Sequence, residues 1–121
     1  MDLSLPPRRY RSRFVVRRGA EFLSVLAADA AYFHSDDKLT FIVTREGLRY
    51  FIDSPLADLE QMLDPVEFFR LNRQVLARAA AIVSFRPIGK GKLLVELNPR
   101  ARTEVIVSQE RAGPFRAWLS Q

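Results

Sequence analysis

The stretch Phe68-Phe69-Arg70-Leu71-Asn72-Arg73-Gln74-Val75-Leu76-Ala77-Arg78 sets side chains that ask for burial beside side chains that resist it. Two adjacent aromatics and a Leu/Val/Leu set belong in a core, whereas three arginines, one Asn and one Gln do not enter one cheaply. An unpaired buried polar group costs about 1–3 kcal/mol, and a charge costs more. The polar set is therefore expected to face water or a ligand. Arg, Asn and Gln are also the side chains that pair bidentately with guanine and adenine edges. An ordinary charged surface has the same composition, so the rest of the chain must weigh the two readings.

Upstream of this stretch the chain reads as strands with one short helix. Strands are expected at Arg13–Arg18 and Glu21–Leu26, joined at Gly19-Ala20, and at Leu39–Arg45 and Leu48–Asp53, joined at Glu46-Gly47. Between these hairpins, Asp29 would cap a turn before Ala30-Ala31-Tyr32-Phe33, which reads as a strand end or a buried edge, and residues 34–38 read as a polar loop. Ser54-Pro55 is a helix start, with Ser as N-cap and Pro at the first helical position. Leu56, Leu59, Met62 and Leu63 then share a face until Asp64-Pro65 ends the helix.

Glu67–Arg70 reads as an anchor that sends its phenylalanines into the core, and Leu71–Leu76 as a short helical turn or an ordered loop. Downstream, a strand is expected over Ala77–Arg86, a flexible turn over Pro87–Lys92, a strand over Leu93–Leu97, a turn over Asn98–Arg102 and a last strand over Thr103–Val107. Ala112, Phe115, Trp118 and Leu119 share a helical face after Ser108, but Pro114 interrupts it, so two short turns are expected there. The fold class is thus mostly β, with short antiparallel strands, one short helix near 55–63 and a short C-terminal helical turn. No crossover outside 54–65 is long enough for a parallel βαβ unit.

Composition narrows the function. The 121 residues make one domain, and 48% hydrophobic content supports an ordinary core. There is no cysteine and no apolar run long enough to span a bilayer or direct secretion, so a cytoplasmic protein without membrane contact is expected. The net charge of +5 resides in residues 1–18, where six arginines face Asp2 alone; the remainder is neutral. Residues 1–12, with two prolines, read as a basic arm along phosphates or a solubilising linker, and 13–121 as the folded domain. Arginine outnumbers lysine 16 to 3, and its fork suits phosphate and guanine.

Catalysis finds little support. His34 is the only histidine, no Gly-x-Ser-x-Gly elbow is present, and Gly89-Lys90-Gly91-Lys92 lacks the spacing of a phosphate-binding loop. Neither an enzyme nor a cofactor is expected. Three polar segments that follow apolar anchors, 34–38, 70–74 and 108–111, would instead gather along one edge if the strands run back and forth. Loops bearing Arg, Lys, Asn, Gln and Ser can meet successive grooves of DNA without a recognition helix. The bland alternative leaves Arg70 and Arg73 as solvated charges or pairs them with Glu67 and Asp64, and lets Arg78 cover a sheet edge.

Several marks, in order and spacing, resemble one family. They are Phe14-Val15-Val16-Arg17-Arg18-Gly19, Ala31-Tyr32-Phe33 with Asp36-Asp37-Lys38, Leu56-Ala57-Asp58-Leu59-Glu60, Leu63-Asp64-Pro65, Phe68 to Gln74, and Val105-Ile106-Val107-Ser108. Over about residues 13–119 the chain resembles the LytTR-type DNA-binding domain, the output domain of many bacterial two-component response regulators. The resemblance implies a transcription regulator that binds double-stranded promoter DNA sequence-specifically, through loops in major grooves, as a dimer on direct repeats. It implies DNA contacts from Lys38, Thr40, Arg70, Asn72, Arg73, Gln74, Ser108, Gln109 and Arg111. Members often have His at the position of Asn72, a polar group such as Asn near Arg78, and Arg directly after the final Val-Ser. Here Gln109 and Glu110 intervene, so the third contact is weaker or Arg111 takes it over. The chain carries no receiver domain, and is expected to be an excised output domain or a stand-alone member. The competing reading is a regulatory module of the same fold whose arginines bind an acidic protein.

Overall fold

The computed structural model describes residues 9–121; residues 1–8, and with them most of the expected arm, lie outside the described residues. The strands are β1 (Arg13–Arg18), β2 (Glu21–Leu26), β3 (Ala30–Asp36), β4 (Leu39–Thr44), β5 (Arg49–Ile52), β6 (Phe68–Asn72), β7 (Val75–Arg78), β8 (Ile82–Gly89), β9 (Lys92–Leu97) and β10 (Val105–Val107). The helices are α1 (Leu56–Met62) and α2 (Gln109–Leu119). A seven-stranded sheet runs β2-β1-β5-β4-β3-β7-β6, a three-stranded sheet runs β10-β9-β8, and every pairing is antiparallel. The mostly-β antiparallel fold class holds.

Successive side chains of a strand point to opposite faces, and the central strands use both. Phe33, Ile42, Phe68 and Leu76 join Phe14, Val16, Leu56, Leu59 and Leu63 in one core beneath α1. Their strand neighbours Tyr32, Val43, Leu71, Val75 and Ala77 form a second core with the small sheet, Phe115 and Trp118. Two aromatic chains mark the layers: Phe14, Phe33 and Phe68 at centroid spacings of 5.5 and 6.0 Å, and Phe69 stacked on Trp118 at 5.1 Å. The adjacent Phe68 and Phe69 therefore both bury, on opposite sides.

The first two hairpins form where the alternation placed them. Other elements differ. Asp29 ends a 3-10 turn over Ala27–Asp29 without capping it, and β3 lies between β4 and β7 rather than at an edge. Residues 34–36 extend β3, leaving Asp37-Lys38 as the connection, with φ of 47° and 68° suited to a tight two-residue hairpin. In α1 the cap is Pro55, whose carbonyl accepts from the N–H groups of Asp58 and Leu59, so Ser54 falls one residue too early. The strand expected over Ala77–Arg86 breaks at a 3-10 turn, Ala79–Ala81, which carries the chain from the large sheet to the small one. Pro87–Gly89 continue β8, and the turn contracts to Lys90-Gly91.

The C-terminal segment is one eleven-residue helix, not two turns. Pro114 removes a bond to the carbonyl of Glu110, a residue in the exposed first turn where water replaces the partner. Phe115 and Trp118 are buried one turn on, and Trp118 Nε1 donates to the Val66 carbonyl at 3.0 Å. That burial outweighs the lost bond.

Arg78 does not cover an edge. Only 7% exposed, it donates from Nε to the Ala30 carbonyl at 2.8 Å, from one terminal nitrogen to the Ala27 carbonyl at 2.6 Å, and from the other to Glu67 at 3.0 Å. Its guanidinium also lies 4.6 Å from the Phe68 ring centroid. Burial lowers its pKa, but an arginine stays charged.

Two outcomes follow for denaturant unfolding. Phe115→Ala should cost about 3–5 kcal/mol, while Phe22→Ala, at a ring 69% exposed on edge strand β2, should stay within about 0.5 kcal/mol. Arg78→Ala should cost about 2–4 kcal/mol by stripping two buried carbonyls of a donor, and Arg78→Lys should recover less than half, since an ammonium cannot span all three partners.

Candidate nucleic-acid interface

The central stretch is a β-hairpin, not a helical turn or loop. Its register runs Phe68↔Arg78, Phe69↔Ala77, Arg70↔Leu76 and Asn72↔Val75, with a bulge that admits Leu71 and turns it into the second core. Arg73 and Gln74 form the tip. Asn72 Oδ1 accepts the Gln74 N–H at 2.8 Å, a side-chain closure that Asn performs well in tight turns.

Most of the polar side chains that sequence alone directs outward are turned back onto the backbone. Arg70 donates to the carbonyls of Asn72 (2.8 Å) and Arg73 (2.7 Å) and pairs with Glu60 at 3.4 Å, not with Glu67. Asn72 Nδ2 donates to the Ile106 carbonyl at 3.0 Å and ties the hairpin to β10. Arg111 places two nitrogens on the Arg70 carbonyl, at 3.1 and 2.6 Å, with its guanidinium 4.9 Å from the Phe69 centroid. Arg111 therefore braces the hairpin from α2 instead of reaching outward in place of Gln109. Backbone carbonyls that only the folded hairpin brings into reach supply what composition cannot reveal.

What remains free is the tip. Arg73 and Gln74 are exposed, and among the described residues no side-chain hydrogen bond or ion pair holds Arg73. Lys38 is exposed in the β3–β4 turn at the same end of the sheet, where the Ser35 N–H donates to the Gln74 carbonyl at 2.8 Å. Thr40, by contrast, is 6% exposed within β4, between Ser35 and Ile52, and does not reach this surface. Ser108 precedes the first residue of α2 without a side-chain cap bond, and Gln109 packs over Gly91 so closely that a Cβ there would lie 2.6 Å from Gln109 Cγ.

Of the segments expected to gather at one edge, 70–74 and 108–111 line one groove, while 34–38 meets the hairpin through the Ser35 N–H to the Gln74 carbonyl and does not line that groove. An open groove runs from the hairpin tip to the start of α2, between Arg73, Lys92, Ser108, Glu60 and Glu110. Lys92, and Lys90 in the adjoining turn, add exposed cations beside it that sequence reasoning set aside with the rejected phosphate loop. Their signal was the pairing of Lys92 beside Leu93, which β10 brings next to Ser108. Glu60 and Glu110, both exposed, repel phosphate, so a polyanion is better met on the side of the groove that carries Arg73 and Lys92. Among the described residues no cluster of His, Asp and Glu could hold a metal, and no helix is long and apolar enough to cross a membrane.

Comparison with known proteins identifies the family and the fold. The family model for the LytTr DNA-binding domain matches residues 20–120. A solved structure from Bacillus cereus, the LytTr DNA-binding domain of a protein assigned as a methyl-accepting/DNA response regulator, superposes with a TM-score of 0.78 at 22% identity, covering 92% of this chain and 99% of that one. At that identity the likeness speaks for the fold. No curated protein matches the chain. With the family matched over most of its length, the chain belongs to the LytTR DNA-binding domain family, and it is a DNA-binding module of transcription regulation rather than an enzyme.

Proposed function

We propose that the domain reads double-stranded promoter DNA sequence-specifically through the end of the large sheet, with Arg73 at the hairpin tip as the principal base-reading side chain. The observation that carries this is the contrast within one hairpin: Arg70, Asn72 and Arg111 are held by backbone carbonyls, whereas Arg73 projects unpaired from the turn they brace. A rigid support beneath a free guanidinium is what bidentate recognition of guanine in a major groove requires. Lys38, Lys92 and Gln74 flank it as phosphate and groove contacts, and Ser108 and Gln109 face the neighbouring segment of duplex. Arg70, Asn72 and Arg111 are positioning residues in this reading, and Thr40 has no part in it.

One such end covers a short site, so two copies on direct repeats, brought together by a receiver domain in a bacterial two-component regulator of the cytoplasm, supply the affinity by raising effective concentration. A basic arm over residues 1–12 adds phosphate contacts.

A duplex selected from a random library and its scrambled form, titrated at two salt concentrations, test the reading. Arg73→Ala should weaken the selected duplex by about 1–3 kcal/mol while leaving thermal stability and scrambled-duplex binding nearly unchanged. Arg70→Ala should lower thermal stability and weaken both duplexes together. An Arg73→Ala protein that binds both as the parent does would remove Arg73 from the site. Binding that ignores duplex sequence and lacks a steep salt dependence would favour an acidic protein partner instead. Shifting one repeat by half a helical turn, about 5 base pairs, should abolish cooperative binding of the second copy; indifference to the shift would sink the direct-repeat arrangement.

A further inference from the structure

Beside the hairpin tip, where residues 98–104 fold over the large sheet, lies a cavity of about 290 Å³. Its apolar lining includes Val43, Val75 and Val105, all buried in the second core. Its charged lining is three arginines, Arg49, Arg100 and Arg102, against two aspartates, Asp36 and Asp37.

Arg49 is held in place from three sides. Its guanidinium lies 3.6 Å from the Phe41 ring centroid, its Nε donates to His34 Nε2 at 3.0 Å, and its nearest carboxylate, on Asp36, is 3.6 Å away and largely in solvent. Because arginine has only donors, His34 must accept through Nε2 and is neutral in this arrangement. Burial, followed by the Arg49 charge, lowers the His34 pKa in agreement. Among the described residues Arg102 pairs with no carboxylate, and its charge acts on Tyr32, His34 and Arg49. Arg49 is itself pulled below its ordinary value by burial and then by Arg102. Two guanidiniums thus share one mouth with a single long carboxylate contact between them, an arrangement that an incoming anion relieves. Tyr32 O–H donates to the Arg100 carbonyl at 3.3 Å, and the Asp36 carboxylate, which also lines the cavity, is largely in solvent.

We propose that this cavity binds a small organic anion, with a carboxylate held between Arg49 and Arg102 and an apolar body resting on Val43, Val75 and Val105. The fork geometry of arginine matches a carboxylate, and the volume is at the lower end for small-molecule sites, about 300–1,000 Å³, which fits a single-ring acid and excludes a nucleotide or a peptide. A duplex phosphate would leave the valine lining unfilled. Its anchors, Arg49, Arg102 and the three valines, are not among the proposed DNA contacts, and Gln74 is the one proposed DNA contact that also lines the cavity.

Sodium benzoate is the probe, titrated into the isotope-labelled chain at fixed ionic strength and followed by amide shifts. Saturable shifts are expected at His34, Val75 and Arg102, with binding at least tenfold weaker for the neutral isostere benzamide and for Arg102→Gln. Arg102 is exposed, so its replacement leaves the fold intact; Arg49→Gln, whose folding is checked by the same spectra, should abolish the response. No saturable shift, equal binding of benzamide, unchanged affinity in Arg102→Gln, or an equal response to inorganic phosphate would each overturn the proposal. So would shifts at these residues produced by duplex DNA alone.

Discussion

Strand β7 is buried along its whole length, flanked by β3 and β6, with a core on each of its faces. Nearly everything else follows from that enclosure. A strand covered on both sides has no water to satisfy whatever polar group it carries, so each must find a protein partner. Arg78 does so by fastening on the carbonyls of Ala27 and Ala30, which fixes the turn entering β3 to the strand beside it. Because β3 and β7 contribute alternate residues to the two cores, α1 and α2 are coupled through one shared wall although they pack on opposite sides of it.

The same enclosure shapes the interface. With β7 buried and the polar side chains of β6 tied to backbone carbonyls, the tip is the exposed part of the hairpin, and Arg70 steadies it by donating to the carbonyls of Asn72 and Arg73. Arginine's chemistry unites two capacities: a planar multi-donor group that ties together backbone carbonyls, and, in the role proposed for Arg73, a charge that meets polyanions. Arg70 and Arg111 are used in the first way.

How much of this was legible in the sequence depended on whether the information was local. Hairpins β1–β2 and β4–β5 announce themselves by alternating burial and short turns, and α1 by its leucine spacing and its stop at Asp64-Pro65. The β6–β7 hairpin did not, because Leu71 sits in a bulge that breaks the alternation, and because Asn72 and Arg70 look like surface residues until Ile106 and the turn carbonyls are in place. Continuity of α2 through Pro114 was equally hidden, since it depends on what Phe115 and Trp118 gain from distant strands. Of the proposed contact residues, the convergence of three segments could be inferred from back-and-forth strands. The burial of Thr40 and the nearness of Lys92 could not, since each depends on a register between strands.

The division of labour in the hairpin also bears on how such a domain changes over generations. Substitution at Arg70, Asn72 or Arg111 disturbs a hydrogen-bonded scaffold and is penalised through folding, whatever it does to recognition. Substitution at Arg73 or at the Gln74 side chain disturbs nothing beneath it. Two adjacent positions are thus open to drift while their support stays fixed; in the proposed reading new specificities are then reachable by single steps through folded intermediates, and a library confined to those two codons would explore them without loss of the fold.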